Sequence, residues 1–373
     1  IIYNMDVTTT KVAFVHDYLS QYGGAEKTLE ALLEIYPNAD IYTGLYNPKN
    51  LPATITSRKI IAPRNKLFLK VSKLLTFMMP VIFESFDLRA YDLIISDGTA
   101  WPKGVITAPN QTHIAYIHTP PRFLYKYSVE TTKRNKWYFK PFVSVIDHLL
   151  RIWDFGAAQR PNFLIANSLE VQKRIKKFYK RDAQVIYPPV EVAYSYSTSK
   201  KDNLKTPYYT TLGRLVAYKN FDFLIQAFNL LELPLTIIGA GPEEKKLKKM
   251  AGHTITFVGR LTDKEKHEVL SNSLGFMFPV ENEDFGISAI EAMSHGIPVL
   301  AHRSGGPLEF IEDGINGMFF NKLKLEEFIH TLKDFDDKCK RGLFNSSEIK
   351  KRVQRFDKER FKQEIKEFVE RNT

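Results

Sequence analysis

Short apolar runs recur along this chain, and most close on a polar or glycine-rich segment that opens an amphipathic stretch. In the first half they occupy residues 11–16, 92–96, 113–118, 163–166 and 184–187; in the second, 208–212, 235–238, 255–258, 274–280 and 297–301. Runs of this length bounded by turn residues read as buried strands. Helical spacing follows several of them: from Gly24, over 169–180, from Phe221, and from Gly286 until Gly296 stops it. A last helical pattern spans 351–372, with Val353, Phe356, Phe361, Ile365 and Phe368 on one face. Residues 195–203 are polar without periodicity and read as a linker. The pattern predicts an α/β chain of two domains, 1–195 and 196–373, without internal repeats.

A length of 373 residues suits two domains of this size, and 44% hydrophobic with 25% charged residues is a globular composition. No run of about 18 uncharged apolar residues occurs, and no basic start leads into an apolar block, so neither a spanning helix nor a secretory leader is expected. The lone Cys339 excludes an internal disulfide framework and a cysteine-rich zinc site, and fits a reducing cytosol.

The net charge of +11 changes the picture, because it is unevenly placed. Residues 1–200 hold 26 Lys+Arg against 16 Asp+Glu, a balance of +10, leaving +1 for the remainder. Nothing resembles a nucleic-acid motif, so an anionic membrane surface or a phosphate-bearing acceptor is the expected partner. The excess is densest over 57–86, where Arg58, Lys59, Arg64, Lys66, Lys70 and Lys73 alternate with leucine, phenylalanine and methionine and no acid occurs between Asp40 and Glu84. This reads as an amphipathic helix lying in a membrane interface, or equally as a domain helix with a basic solvated face. A second cluster over 133–142 points the same way.

Candidate chemistry gathers where strands end. After the run ending at Val280 comes an acidic loop with Glu283, and Glu291 follows eight positions later. Within one helix that spacing would separate the two by about 12 Å. A helix beginning between them instead lets Glu283 fold back from the loop while Glu291 projects from the second turn. The amides of Phe285, Gly286 and Ile287 then sit at a helix N-terminus, where phosphate or sugar oxygens are well received. Taken singly, either glutamate is also an ordinary surface acid. Gly23 and Gly24 follow the first strand at a helix start, the architecture of a phosphate cradle or of a plain tight turn. Pro120 and Pro121 stiffen the loop after His118 and hold that side chain in fixed geometry. Gly213-Arg214 ends another strand, and Lys219 stands just before the next helix. Two fixed cations there suit a departing diphosphate.

The phrase Glu283-Asp-Phe-Gly-Ile-x3-Glu291-Ala-Met-x2-Gly-Ile-Pro-Val resembles the signature of retaining GT-B glycosyltransferases of family 4. So do Gly213-Arg214-x4-Lys219-Asn220, His118-Thr-Pro-Pro-Arg and His16-Asp17-Tyr18-Leu19 with Gly23-Gly24-Ala25-Glu26; the last two are closest to lipopolysaccharide and polysaccharide mannosyltransferases. The resemblance implies a GT-B fold, two Rossmann-like domains facing across a cleft, with the terminal helix returning to the first. It implies a nucleoside-diphosphate-sugar donor, GDP-mannose favoured and a UDP-sugar open, and a lipid-linked or glycan acceptor bound mainly by the first domain.

Carried over residue by residue, Glu283 contacts the hexose, Glu291 the ribose, and the 285–287 amides the sugar or diphosphate. His118 lies near the sugar, Arg214 and Lys219 bind the diphosphate, the Gly23-Gly24 loop lines the phosphates, and the Gly259-Arg260 backbone meets the base. Asp17 stands as an acceptor contact. Neither half shows a clear Asp-x-Asp metal motif, so Arg214, Lys219 and helix termini are expected to replace a metal, with no cofactor and no side-chain nucleophile. The expected setting is the inner face of the cytoplasmic membrane. Other readings are a nucleotide-sugar epimerase or phosphorylase of the same fold and, in a different class, a non-catalytic membrane scaffold.

Overall fold

The computed structural model describes residues 10–63, 76–127, 140–192 and 207–373. These fall into two compact units, one built from the residues up to 189 together with 358–373, the other from 190–357. Each unit is built on its own parallel sheet.

The first unit's sheet has seven strands: β1 (Val12–His16), β2 (Asp40–Thr43), β3 (Ile60–Ile61), β4 (Leu93–Gly98), β5 (Thr112–Ile117), β6 (Phe163–Ala166) and β7 (Gln184–Val185), in the order β3-β2-β1-β4-β5-β6-β7. Every pairing is parallel, and the β1–β4 register sets His16 opposite Asp97. Both faces are covered, which is why β1 and β4 read as unbroken apolar runs. On one face the helices Gly24–Ile35 and Lys358–Asn372 bring Leu29, Leu32, Phe361 and Ile365 onto Phe14, Ile95 and Tyr116. On the other, Met79, Phe83, Trp101 and Leu150 pack on Ala13, Val15 and Ile94.

The second unit repeats the plan with β8 (Tyr208–Leu212), β9 (Leu235–Ile238), β10 (Ile255–Gly259), β11 (Ser273–Phe278), β12 (Val299–His302) and β13 (Gly317–Phe320), ordered β10-β9-β8-β11-β12-β13. This is the doubly wound Rossmann-like arrangement. In both sheets the winding reverses once, at β1/β4 and at β8/β11, and the loops leaving those strand ends diverge to open a ligand crevice.

Two expectations are revised. The helical pattern over 351–372 is two helices, Ser346–Val353 and Lys358–Asn372, separated by a 3-10 turn over Gln354–Phe356 and an extended Asp357. The break follows from two destinations: Phe356 packs edge-on against Phe285 in the second unit, whereas Phe361 packs edge-on against Tyr116 in the first. The interfacial helix expected over 57–86 is not continuous. Ile60 and Ile61 form an edge strand on Ile41 and Tyr42, and the helix Met79–Glu84 buries Met79 and Phe83 fully. Lys59 pairs with Asp40 at 2.5 Å and Arg58 donates to the Pro37 carbonyl, so both cations are engaged within the unit. Arg64, Lys66, Lys70 and Lys73, the 133–136 cations and the 195–203 linker lie outside the described residues.

The helix Lys140–Ala157 is inverted relative to an ordinary surface helix. Asp147 and Asp154 are buried while Val145, Leu149, Ile152 and Phe155 are exposed. Asp154 accepts from Lys103 at 2.6 Å and from Tyr125 at 3.0 Å, a buried network with its charges paired. No helix among the described residues is long and apolar enough to cross a membrane.

Phe356 is fully buried and sits between Phe285 and Phe310. Phe356→Ala is expected to cost about 3–5 kcal/mol of stability, read as a lowered urea midpoint. A loss within experimental error would show that the Phe285 loop does not depend on this anchor.

Candidate functional site

In the second unit the loops leaving β8 and β11 lie at the winding reversal. After β8 the chain runs Gly213-Arg214-Leu215 against the tip of β9. Gly239, at φ +130°, and Gly241 approach the Gly213 and Leu215 backbone so closely that a side chain at either would clash. Lys219 folds back over Gly213, where even a methyl group would stand 3.0 Å from Nζ. Arg214 is exposed, and among the described residues neither it nor Lys219 has an acidic partner within ion-pairing distance. Asn220, left-handed at φ 55°, starts the helix Phe221–Leu231 and donates from its amide to the Pro279 carbonyl at 2.9 Å. That bond ties the Lys219 turn to the loop carrying Glu283.

The Glu283 loop is held from the other side by glycines. The Gly306 N–H donates to the Glu283 carbonyl at 2.9 Å, and the Asn282 N–H donates to Ser304 Oγ at 2.8 Å. Gly305, at φ +65°, presses on the Glu283 backbone and Gly306 on that of Phe285, so a Cβ fits at neither. The side chain is treated differently: Glu283 Oε2 is buried with no hydrogen-bond partner. A buried carboxylate oxygen without a donor is costly, and it marks where a ligand hydroxyl belongs.

Just beyond, Gly286 caps the helix Ile287–Ser294 in a left-handed conformation (φ +108°) that supplies no side-chain cap. The Ala289 N–H donates to the Gly286 carbonyl at 3.0 Å, so only the amides of Ile287 and Ser288 at the helix start lack an intrahelical acceptor. Phe285 contributes only backbone here, since its ring is core between Phe310 and Phe356.

Glu291 does occupy the second turn, but it is buried and ion-paired with Lys266 of the helix Asp263–Ser271 at 3.1 Å. Lys266 carries no sequence signal of its own, being one cation in a charged helix. Behind this pair His267 Nδ1 and His295 Nε2 lie 2.8 Å apart, and burial pushes the His295 pKa down to about 4. Gly259, at φ +70°, has open space around its Cβ position, and Arg260 is exposed. A literal Asp-x-Asp, Asp334-Phe335-Asp336, lies mid-helix with its carboxylates on Lys338 and Lys340, each at 2.8 Å. Among the described residues no cluster of three metal-ligating side chains forms.

The first unit assembles a different group at β1/β4. Asp97 is fully buried, with Oδ2 2.9 Å from His16 Nδ1 and Oδ1 2.7 Å from His118 Nε2. His16 Nε2 faces Glu26 at 3.9 Å. Burial opposes charge on His16, but Asp97 and Glu26 outweigh it and push its pKa up to about 10. Burial likewise opposes charge on Asp97, and the two histidines hold it down at about 2.

Asp17 belongs to the frame of this site: its two carboxylate oxygens accept from the amides of Thr99, Ala100 and Trp101 at 2.5, 3.2 and 3.0 Å, fixing the turn after β4. At Gly23 the backbone is extended and a Cβ would meet only Glu26 Oε2 at 3.4 Å, so the fold itself does not demand glycine there. Sequence reasoning missed Asp97 and Glu26. Their signal was position, one ending the apolar run of β4 and the other in the turn after the glycine pair.

His16 couples the stability of the first unit to pH. With a folded pKa of about 10 against 6.5 unfolded, its stabilisation is complete below pH 6.5 and lost as pH rises through 10. Denaturation midpoints should therefore fall over that window in the wild type and fall less in His16→Gln. Parallel pH profiles would refute the buried imidazolium.

Comparison with known proteins finds relatives of part of this chain and of its fold. Residues 196–338 match the family described as "Glycosyl transferases group 1". Sucrose synthase 1 of Zea mays is 24% identical over 359 residues, covering 87% of this chain and 43% of its own length. A GDP-mannose-dependent alpha-mannosyltransferase of Corynebacterium glutamicum is 32% identical over 116 residues, 31% of this chain and 28% of the relative. The chain thus spans less than half the length of these curated relatives. Among solved structures, Anabaena HepE in complex with UDP superposes with a TM-score of 0.69 at 18% identity, over 96% of this chain and 99% of the other. Residues 196–338 thus match the glycosyl transferase group 1 family, within a chain that has the two-domain α/β fold of GT-B glycosyltransferases.

Proposed function

We propose that this chain is a retaining glycosyltransferase that moves a hexose from a nucleoside-diphosphate sugar to a lipid-linked or glycan acceptor. The observation that carries the reading is the buried Glu283 Oε2, which has no hydrogen-bond partner among the described residues, on the loop tied by Asn220 to Lys219, which has no acidic partner among them. A hexose hydroxyl answers the carboxylate. A diphosphate answers Arg214, Lys219 and the amides of Ile287 and Ser288 at the helix start, the pairing such fixed cations favour. Glu291, its charge balanced by Lys266, serves the ribose. The relative that uses GDP-mannose makes that donor the first to test, and HepE, solved with UDP, makes a UDP-hexose the second.

In the reaction the bond from the anomeric carbon to the β-phosphate oxygen breaks, and a bond to the acceptor oxygen forms on the same face. The acceptor's proton passes to the departing phosphate oxygen. Negative charge grows on that oxygen, so a preorganised guanidinium and ammonium stabilise the transition state more than the ground state. No side-chain nucleophile and no metal enter this scheme. An epimerase or phosphorylase of the same fold would instead turn over the donor without a glycan or lipid acceptor, which incubation with donor alone distinguishes.

The membrane reading draws on the inverted helix Lys140–Ala157. Val145, Leu149 and Ile152 are each about 60% exposed and lie along one face. Exposed Phe77, Met78 and Val81 belong to the segment entering the helix Met79–Glu84, which is joined to the inverted helix by the Trp153–Glu84 hydrogen bond at 2.7 Å. With the +10 balance of residues 1–200, this apolar face suits an anionic bilayer surface.

Two outcomes are expected. Arg214→Ala should lower kcat/KM about 100-fold or more with the correct donor, and an unchanged value would remove Arg214 from the reaction. Leu149→Glu with Ile152→Glu should abolish cosedimentation with anionic vesicles while leaving turnover of a soluble acceptor intact. Retained cosedimentation would end the bilayer assignment.

A further inference from the structure

Three adjacent strand ends deliver one buried row: His16 from β1, Asp97 from β4 and His118 immediately after β5. The two oxygens of Asp97 have divided duties. Oδ2 is taken by His16 Nδ1 in an aligned bond of 2.9 Å. Oδ1 and His118 Nε2 face each other at 2.7 Å but off hydrogen-bond alignment, and both are buried without another partner.

The neighbouring donors are committed elsewhere. Ser96 Oγ pairs with His113 Nε2 at 2.8 Å, the Tyr116 hydroxyl donates to the Ile186 carbonyl at 2.9 Å, and the amides of residues 99–101 are bound by Asp17. The His118 backbone N–H donates to the Gly98 carbonyl, fixing its main chain beside the carboxylate. An oxygen and a nitrogen so placed are reconciled only by a proton on Nε2, because a lone pair there would oppose the carboxylate in a water-excluded site.

We propose that Asp97 is a positioning residue for His118: it fixes the Nε2–H tautomer, so that Nδ1 is presented as a bare hydrogen-bond acceptor for a hydroxyl of the bound sugar. The sugar itself rests on the glycosyl-transfer reading; the tautomer does not. The charged His16 on the other oxygen keeps Asp97 ionised and oriented, so the carboxylate is a fixed template rather than a proton donor. Rotation of the imidazole toward alignment is what ligand engagement of Nδ1 accomplishes, in the way that such bonds tighten in the bound state.

The test reads tautomer and turnover separately. Histidine-labelled protein is followed by ¹⁵N NMR through a pH titration, with the His118 signals assigned by their loss in His118→Gln. The neutral ring of the wild type is expected as the Nε2–H form; an Nδ1–H ring overturns the proposal, and this arm needs no destabilised variant and no substrate. In Asp97→Asn the amide can donate to Nε2, so the ring should switch to Nδ1–H and kcat should fall about 10- to 100-fold. In a His118→Gln background the same substitution should cost no further activity, as expected when one residue acts through the other. Additive losses would make Asp97 a stability residue only. Absence of transfer with any donor, alongside an Nε2–H ring, would remove the glycosyl-transfer reading and leave the tautomer assignment in place.

Discussion

The constraint on which the rest depends is that a parallel sheet buried on both faces can offer chemistry only at its strand ends. Along β1, β4, β8 and β11 side chains meet covering helices on either side, so the interior admits little that is not apolar. At the carboxyl ends, where the winding reverses, the covering elements part and polar groups emerge. His16 with Asp97 and Arg214 with Glu283 therefore stand at equivalent points of two sheets that share a plan. Neighbouring loops brace both sites: Asp17 holds the 99–101 turn, and Ser304 to Gly306 hold the Glu283 loop.

The two strand-end groups handle charge in opposite ways. In the first unit the row Glu26, His16, Asp97 and His118 alternates acid and imidazole, so its charges are compensated internally and the pKa values of His16 and Asp97 move apart. In the second, among the described residues, Arg214 and Lys219 carry positive charge with no acid paired to it, and Glu283 keeps one oxygen without a donor. Compensation suits groups that must hold a geometry. Its lack suits groups that await a partner of the opposite kind, and for the buried Glu283 oxygen the desolvation already endured is repaid only on binding.

Much of this was legible in the sequence because the fold's demands are local. The runs at 163–166, 208–212 and 235–238 are strands at those same positions, since continuous apolar segments have no other use at that length. The terminal pattern was misread for an instructive reason: helical periodicity reports that residues share a buried face, not that they share one core. Phe356 and Phe361 fit one face and serve different units. The basic stretch from 57 misled similarly, because Met79 and Phe83 give the same signal whether they enter a bilayer or a core. Asp97 and Lys266 left little trace, since their meaning lies wholly in partners distant along the chain, His16 81 positions away and Glu291 25.

Glycine separates what the fold requires from what a ligand would. Gly239, Gly305 and Gly306 are fixed by the protein's own packing: a Cβ at any of them would enter a neighbouring backbone, and two of the three also hold positive φ. Gly23 meets no such demand. Its backbone is extended, any residue could adopt it, and a Cβ would make only ordinary contact with Glu26. A glycine that the folded chain does not need costs conformational entropy without return in stability. The packing of the fold therefore gives no reason of its own for glycine at 23.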